Sequence, residues 1–196
     1  MREGSGQQTS ERILGCAEEL FGRKGYDAVT VADIAQACGV STALIYYHYT
    51  DKESLLRALV DRASEVFDVH IRRALQGDGP PRERLRTFIA EWLETAESNQ
   101  GLIRILVRPL TDPEGPLSTE LLARIAVIVE GLAAVIAEGI EAGDFDPVDA
   151  KLAAECLFGL VNTRAAAGAL NVPVQVGHEA NAEFNAHLFF SGIATC

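Results

Sequence analysis

The sequence lacks the marks of several protein classes. No stretch approaches the roughly 18 uninterrupted apolar residues that a membrane span requires. The polar N-terminus, MREGSGQQTSER, has no apolar run and does not resemble a secretory signal. The enzyme motifs GxSxG, GxGxxG, HExxH and the P-loop are absent. These absences predict a cytoplasmic protein that is not an enzyme, carries no cofactor and makes no membrane contact.

Cysteine is scarce and scattered. The four residues, Cys16, Cys38, Cys156 and Cys196, show no CxxC spacing. Zinc sites and small disulfide scaffolds both require closer clustering, so we expect no metal site and reduced, mostly buried thiols. For Cys38 we expect a buried structural thiol, although oxidation there would disturb its surroundings.

Positive charge is in deficit. The 196 residues include 17 Lys and Arg against 28 Asp and Glu, a formal net charge of −11. Residues 1–75 carry a net −2 and residues 76–196 a net −9. This asymmetry suggests two modules with different partners. Because bulk charge does not favour nucleic acid, any DNA binding would depend on local geometry.

The sequence does contain a series of amphipathic helical patterns. Thr30-x-x-Asp33 and Thr50-x-x-Glu53 resemble capping boxes, and Ser41 can cap another helix. The fourth helix opens at Thr50 or Asp51. GDGPPR, residues 77–82, is the clearest linker, and no strand pattern is convincing. The chain is therefore predicted to be all-α, with helices at about 10–24, 30–38, 41–47, 50–77, 82–98, 101–110, 117–142, 147–170 and 177–195.

The segment IAQACGVSTALIYYHYTDKESL, residues 34–55, is typical of a helix-turn-helix. Ala35, Gly39 and Ile45 fall at i, i+4 and i+10. The small Ala35 lets the second helix cross closely, Gly39 makes the tight turn, and Ile45 fills the space between the helices.

Residues 10–58 as a whole resemble the TetR family of transcriptional regulators. The runs LFGRKGYDAVTVADIAQACGVS and LIYYHYTDKESLL carry the resemblance, and its motif positions are Phe21, Gly25, Tyr26, Thr30, Val31, Gly39, Val40, Ser41, Tyr46, Tyr49, Lys52, Glu53 and Leu55. The resemblance implies an N-terminal three-helix helix-turn-helix DNA-binding domain at residues 8–55. It also implies a larger C-terminal helical ligand-binding and dimerisation domain at residues 56–196.

The expected DNA contacts lie in and around the second helix of this motif. Short side chains in its first turn can approach base edges, and the exit residues can reach phosphates, with core packing an equal alternative for Tyr46. Lys52 would act as a phosphate clamp beside helix-terminal N–H groups. The predicted DNA-binding residues are Thr30, Ser41, Thr42, Ala43, Tyr46, Tyr47, His48 and Lys52.

The recognition helix departs from the family in two places. Ala43 stands where Gly is frequent, and Leu44 where a polar residue is frequent. The helix is thus poor in base-reading donors, which suggests that apolar contacts or DNA shape contribute to operator choice.

The resemblance further implies a homodimer and an effector pocket. Helices 147–170 and 177–195 would form a four-helix bundle with a second copy, through Cys156, Leu160, Phe184, Leu188 and Phe190. Helices 82–98, 101–110 and 117–142 would enclose an apolar pocket lined by Phe88, Trp92, Leu106, Leu121, Ile125 and Ile128, with Arg104, Arg108 or Asn162 as polar anchors. Ordinary core packing is the alternative for each pocket residue.

These features predict a ligand-responsive, DNA-binding regulator. In the family's more common form it would be a repressor, released from a palindromic double-stranded operator by a lipophilic small molecule. One alternative is a redox- or partner-sensing regulator without a small-molecule ligand. A small helical enzyme is the other, and no motif supports it.

Overall fold

The computed structural model describes residues 3–106, 114–115, 117–169 and 178–193, and it confirms the all-α prediction. The helices within these ranges are α1 (Glu3–Lys24), α2 (Val31–Cys38), α3 (Thr42–His48), α4 (Lys52–Gln76), α5 (Pro81–Ser98), α6 (Gln100–Leu106), α7 (Ser118–Glu141), α8 (Ala150–Ala169) and α9 (His178–Ile193). Their order and lengths follow the predicted pattern, with α1 beginning at Glu3 rather than at residue 10. Residues 107–113, 116 and 170–177, which include the end of the predicted helix at 101–110 and most of the connections to the next helices, lie outside the described residues.

The start of α4 differs from the predicted cap. Asp51, not Thr50, is the N-cap: its carboxylate accepts from the Ser54 N–H at 2.7 Å, and the Ser54 hydroxyl accepts from the Asp51 N–H at 3.1 Å. The predicted Thr50–Glu53 box is therefore absent, and the helix opens at Asp51, the second of its two predicted starts. Both registers offer a short polar side chain followed three residues later by a second polar group, so local sequence does not separate them.

The side chains form two apolar cores. The first, in what we call the head, is built mainly from α1 to α3 and the N-terminal half of α4. The second, in what we call the body, gathers α5 to α9 and the C-terminal half of α4, with α5 packed against all the others. Along α4 the division falls between Ala63 and Phe67, so the predicted boundary at residues 55–56 lies inside a continuous helix.

The head core is not made of head residues alone. Leu102 and Ile105 of α6 and Leu121 of α7 are buried within it. Helix α6 also approaches α1 closely, since a Cβ added at Gly101 would lie 2.5 Å from a carboxylate oxygen of Glu18. The head is therefore mounted on the body through packed side chains, and a shift of α6 would be transmitted to it.

Candidate nucleic-acid interface

Helix α2 is anchored at its start by a complete capping box. The Thr30 hydroxyl accepts from the Asp33 N–H at 3.1 Å and donates to the Asp33 carboxylate at 2.5 Å, while the Thr30 N–H donates to the same carboxylate at 2.8 Å. These bonds, led by the side chain of Thr30, lower the pKa of Asp33. Thr30 is exposed as predicted, but its hydroxyl is already engaged.

A left-handed residue ends α2 and turns the chain towards α3. Gly39 has φ 64°, and its N–H and that of Val40 donate to carbonyls of the last turn of α2. This conformation is costly for residues with a Cβ, which is why glycine is required here. Buried Ile34, Ala35 and Ile45 then pack α3 against α2, as the sequence predicts.

The first turn of α3 faces solvent. Ser41 caps the helix, its hydroxyl accepting from the Leu44 N–H at 3.2 Å. Ser41, Thr42 and Ala43 are all exposed, and Leu44 is half-buried. The exposed side chains of this turn are short and uncharged, so the helix can enter a DNA groove closely.

Aromatic side chains extend from the exit of the same helix. Tyr46 is 55% exposed and Tyr47 is 81% exposed. The half-buried His48 ring stacks edge-on against Tyr47, with ring centroids 5.1 Å apart. The packing alternative for Tyr46 therefore does not describe this structure: both phenols point outward, where their hydroxyls can donate to an acceptor.

Tyr49, one residue beyond α3, behaves differently from its neighbours. It is half-buried, and its hydroxyl lies 2.7 Å from the Ser10 hydroxyl of α1. Burial raises the pKa of Tyr49, with the Ser10 hydrogen bond opposing the change. Tyr49 thus ties the end of the recognition helix to the first helix of the head.

Lys52 does not lie free as the predicted phosphate clamp would. Its ammonium donates to the carbonyls of Tyr26 at 2.9 Å and Val29 at 3.0 Å, and it sits 4.1 Å from the centre of the Tyr26 ring. Two carbonyls of the α1–α2 loop therefore accept hydrogen bonds from the ammonium group. The structure therefore gives Lys52 a positioning role, holding the loop that precedes Thr30.

Sequence reasoning missed the partners in these last two contacts. Tyr26 and Ser10 lie 26 and 39 positions from the side chains that they meet. Local helical spacing reports neighbours three or four residues apart, so no periodicity in the chain points to such pairs. Tyr26 and Lys52 do occur together in the quoted motif, which is the one available signal.

The cysteine prediction was wrong for the head. Cys16 of α1 and Cys38 of α2 are joined by a disulfide, with Cα atoms 6.0 Å apart. Both residues are half-buried, whereas Cys156 is free and exposed, not buried. The error has a simple cause: residues 22 apart in sequence are brought together by helix packing, which the absence of close spacing does not reveal.

A second exposed surface lies on the body, between α8 and α9. A groove of about 410 Å³ is lined mostly by apolar side chains, among them Leu152, Cys156, Leu160 and Leu188. Phe184 is 64% exposed and Leu188 51% exposed. Phe190, in contrast, is buried in the body core beside Phe145 with Arg82 over its ring. The assignment of Phe190 to a dimer interface is therefore wrong.

The predicted effector residues do not surround one cavity in the described part of the chain. Phe88 and Trp92 are buried in the body core, and half-buried Ile125 and Ile128 pack on it. Leu121 belongs to the head core, and Leu106 packs against both cores. Arg104 donates to the Gly22 carbonyl of α1 at 3.4 Å, so it faces the head, while Asn162 donates to the carbonyl of Phe158 in its own helix. Arg108 lies outside the described residues.

Among the residues that the structure describes, no helix is both long and apolar enough to cross a bilayer. Nor do the described side chains gather three or more His, Cys, Asp or Glu residues in a cluster able to hold a metal ion.

Comparison with known families decides the classification. The model of the bacterial regulatory proteins of the tetR family matches residues 13–59, and that of the tetracyclin repressor-like C-terminal domain matches residues 78–166. The chain belongs to the TetR family. The head described above contains the residues that the first of these models matches.

Relatives of this TetR-family chain match it over part of its length. The regulator TtgR of Pseudomonas putida is 38% identical over 72 residues, which are 37% of this chain and 34% of that protein. The nucleoid occlusion factor SlmA of Vibrio vulnificus is 32% identical over 96 residues, 49% of each chain. The chain therefore spans at most 49% of the length of these two relatives.

Solved structures extend the likeness to the body. The TetR-family regulator PfmR of Thermus thermophilus superposes with a TM-score of 0.79 at 28% identity, over 92% of this chain and 97% of that one. AibR, in complex with isovaleryl coenzyme A and operator DNA, has the same TM-score and coverage at 23% identity, which shows a shared fold.

Proposed function

We propose that this regulator is a repressor, that two copies bind a palindromic operator, and that a lipophilic small molecule releases them. The observation that carries the proposal is the exposed, uncharged first turn of α3, with Tyr46 and Tyr47 projecting beside it. In the bound state Ser41, Thr42 and Ala43 approach base edges in the major groove. The two phenols and His48 donate to phosphates on either side.

Lys52 and Thr30 act mostly behind this surface. Two of the three N–H donors of Lys52 are taken up by loop carbonyls, and the Thr30 hydroxyl is taken up by Asp33. Both residues hold the α2 start in place, and the remaining ammonium N–H is the one left for a phosphate. Neutral donors on a fixed frame explain how a head with a net charge of −2 over residues 1–75 binds DNA.

The groove between α8 and α9 is the proposed contact with a second copy. Leu160 and Cys156 of α8 and Leu188 of α9 line the groove, and Phe184 is exposed on α9 as well. Together they supply a largely apolar surface of the kind that homodimers bury at their centre. A two-fold axis there would set the two recognition helices one DNA turn apart, about 34–36 Å, as a palindromic site demands.

A buried donor supports effector binding in the body. Trp92 is 5% exposed, and its indole N–H has no hydrogen-bond partner among the described residues. Rings of Phe67, Phe88 and Phe158 pack around it at centroid distances of 4.8 to 5.5 Å. An orphaned buried donor is costly, so a ligand oxygen that accepts from it would bind favourably. The effector would be apolar with a carbonyl-type acceptor.

Two contact sets would carry the response to the head. Leu102 and Ile105 of α6 are part of the head core. On the other side Arg124 of α7 bonds to Asp61 and Ser64 of α4 at 2.8 and 2.5 Å. A ligand that prefers a different placement of α6 or α7 would change the angle of α4 and separate the recognition helices.

The decisive experiment selects binding sites from sheared genomic DNA of the source at low and moderate salt. Recovery of a short palindrome is the expected result. The recovered fragment then serves to screen acyl compounds for release, a class chosen because AibR was solved with isovaleryl coenzyme A. Trp92 is the single tryptophan, so quenching of its fluorescence reports binding directly. A palindrome held equally with and without every quenching compound would refute ligand release.

A redox-sensing regulator is the second candidate. The Cys16–Cys38 disulfide favours it, because the bond lies within the DNA-binding head.

A further inference from the structure

The disulfide joins the two helices that precede the recognition helix. Cys16 lies in the middle of α1, and Cys38 is the last residue of α2, directly before Gly39 of the turn. Any constraint on Cys38 is therefore a constraint on the point from which α3 departs.

The pair is held together by packing and not by the bond alone. Ile13 and Ala17 of α1 and Ile34 and Ala35 of α2 are buried in one core, which keeps the two helices in contact. The resulting Cα separation of 6.0 Å lies in the range that a disulfide spans without backbone movement. Reduced thiols would consequently remain poised to re-form the bond.

Both sulfur-bearing residues are partly exposed, so small reagents can reach them. Cys156, exposed on α8, has no partner of this kind and serves as an internal comparison.

We propose that Cys16 and Cys38 are a reversible thiol–disulfide site that locks α1 to α2 in the DNA-binding geometry. A thiolate of the pair attacks a low-molecular-weight disulfide such as oxidised glutathione, forming a mixed disulfide and releasing one thiol. The second thiolate attacks the protein sulfur of that mixed disulfide and releases the second thiol. The pair is oxidised by two electrons, the reagent is reduced by two, and the two cysteine protons end on the released thiols.

The direction of the effect follows from the bonded structure. With the disulfide present, the first turn of α3 and Tyr47 are exposed and the caps of α2 and α3 are complete. Oxidation therefore preserves the binding surface. By closing a loop of 22 residues it also disfavours opened forms of the head. The consequence for DNA rests on the proposed function.

The test uses the full chain, reduced or equilibrated with oxidised glutathione. Differential alkylation and mass spectrometry should show Cys16 and Cys38 losing reactivity together. Amide hydrogen exchange in residues 12–40 should slow by about tenfold or more on oxidation. Cys16→Ser and Cys38→Ser should each abolish the exchange response. If Cys16 and Cys38 both remain alkylatable after oxidation, or carry only glutathione adducts, the proposal is overturned.

A DNA-retention experiment distinguishes failure of the disulfide proposal from failure of the proposed function. Oxidised protein should retain genomic fragments at least as well as reduced protein, and to a higher temperature. If oxidation weakens retention, the locking direction is wrong. If Cys16 and Cys38 pair and amide exchange slows, but neither the oxidised nor the reduced protein retains DNA, the disulfide proposal holds and the proposed function fails.

Discussion

The head and the body both expose large side chains, but of different chemistry. Helix α3 presents two phenols, Tyr46 and Tyr47, whereas helix α9 presents Phe184 and Leu188, and Leu188 also lines the largely apolar α8–α9 groove. A phenol combines an apolar ring with a donor and so suits a polar partner such as a phosphate. A bare hydrocarbon face gains only by removing itself from water, and so suits another apolar surface. The exposed side chains of the two regions thus indicate two different kinds of partner.

The two cores differ as well. The head closes only with the help of α6 and α7, while the body core includes no residue from α1 to α3 among those described. We infer that the head depends on the body for stability more than the body depends on the head.

The largest expected effect tests this dependence. Leu102 belongs to α6 of the body but is buried in the head core. Leu102→Ala should therefore lower the free energy of unfolding by about 2–5 kcal/mol. Leu157→Ala, at a fully buried site of the body core, is the matched control with a similar cost. Hydrogen exchange in α1–α3 should accelerate selectively in the Leu102 variant. Equal acceleration in both variants would contradict the asymmetry between the cores.

The second effect concerns the proposed contact with a second copy. Phe184→Glu and Leu188→Glu should each weaken dimerisation about thirtyfold or more, because a carboxylate would be desolvated in an apolar contact. Val127→Glu, at a 72% exposed position of α7 outside the groove, should leave association unchanged. Sedimentation at micromolar concentration measures this. A monomeric wild type, or dimers in all three variants, would place the groove outside any interface.

The third effect lies inside the head. Lys52→Met keeps the aliphatic stem but removes the two hydrogen bonds to loop carbonyls, and should cost about 1–2 kcal/mol of stability. Arg23→Met, which breaks an exposed ion pair with Glu19 at 3.6 Å, should cost little. Urea denaturation of the three proteins gives the comparison. If the Lys52 variant is as stable as wild type but its DNA affinity depends less steeply on salt concentration, the result would support Lys52 as the predicted phosphate clamp.

The fourth effect tests the phenols of α3. Tyr46→Phe and Tyr47→Phe should each weaken DNA binding by about 0.5–1.5 kcal/mol, to a similar degree for every sequence. Tyr49→Phe should instead lower stability, since it loses the bond to Ser10. Binding isotherms on the recovered fragment and on scrambled duplexes give the result. A change of base preference in the Tyr46 or Tyr47 variant would mean base readout rather than phosphate contact.

The smallest effect is a pH dependence at the start of α2. The hydrogen bonds from Thr30 hold the pKa of Asp33 below its ordinary value of 3.8. Because the folded pKa is lower than the unfolded one, the stabilisation is present above the unfolded pKa and is lost as pH falls through the folded pKa. The stability difference between wild type and Asp33→Asn should therefore narrow in acid. A constant difference down to pH 2.5 would show that the Asp33 charge adds nothing.

Much of the head could be predicted because its determinants are local. The Thr30–Asp33 box, the glycine at position 39 and the cap at Ser41 each act over three or four residues, and the structure has all three where the sequence indicates them. Sequence alone left Thr50 and Asp51 as alternative starts of α4, because the two adjacent positions have similar capping chemistry, and the structure uses Asp51. The arrangement of the effector residues was less predictable, since an apolar helical position does not say which core it enters.

The sequence by itself determined that the chain is helical, where most helices begin and end, and that a helix-turn-helix lies near its N-terminus. These properties depend on caps, glycines and periodicity, which are short-range. Tertiary structure alone decided that Lys52 holds the Tyr26 loop, that Cys16 meets Cys38, and that Phe190 is buried while Phe184 is exposed. Each of these depends on which helix faces arrive at the same place. That outcome is set by the packing of the whole chain, and no local pattern encodes it.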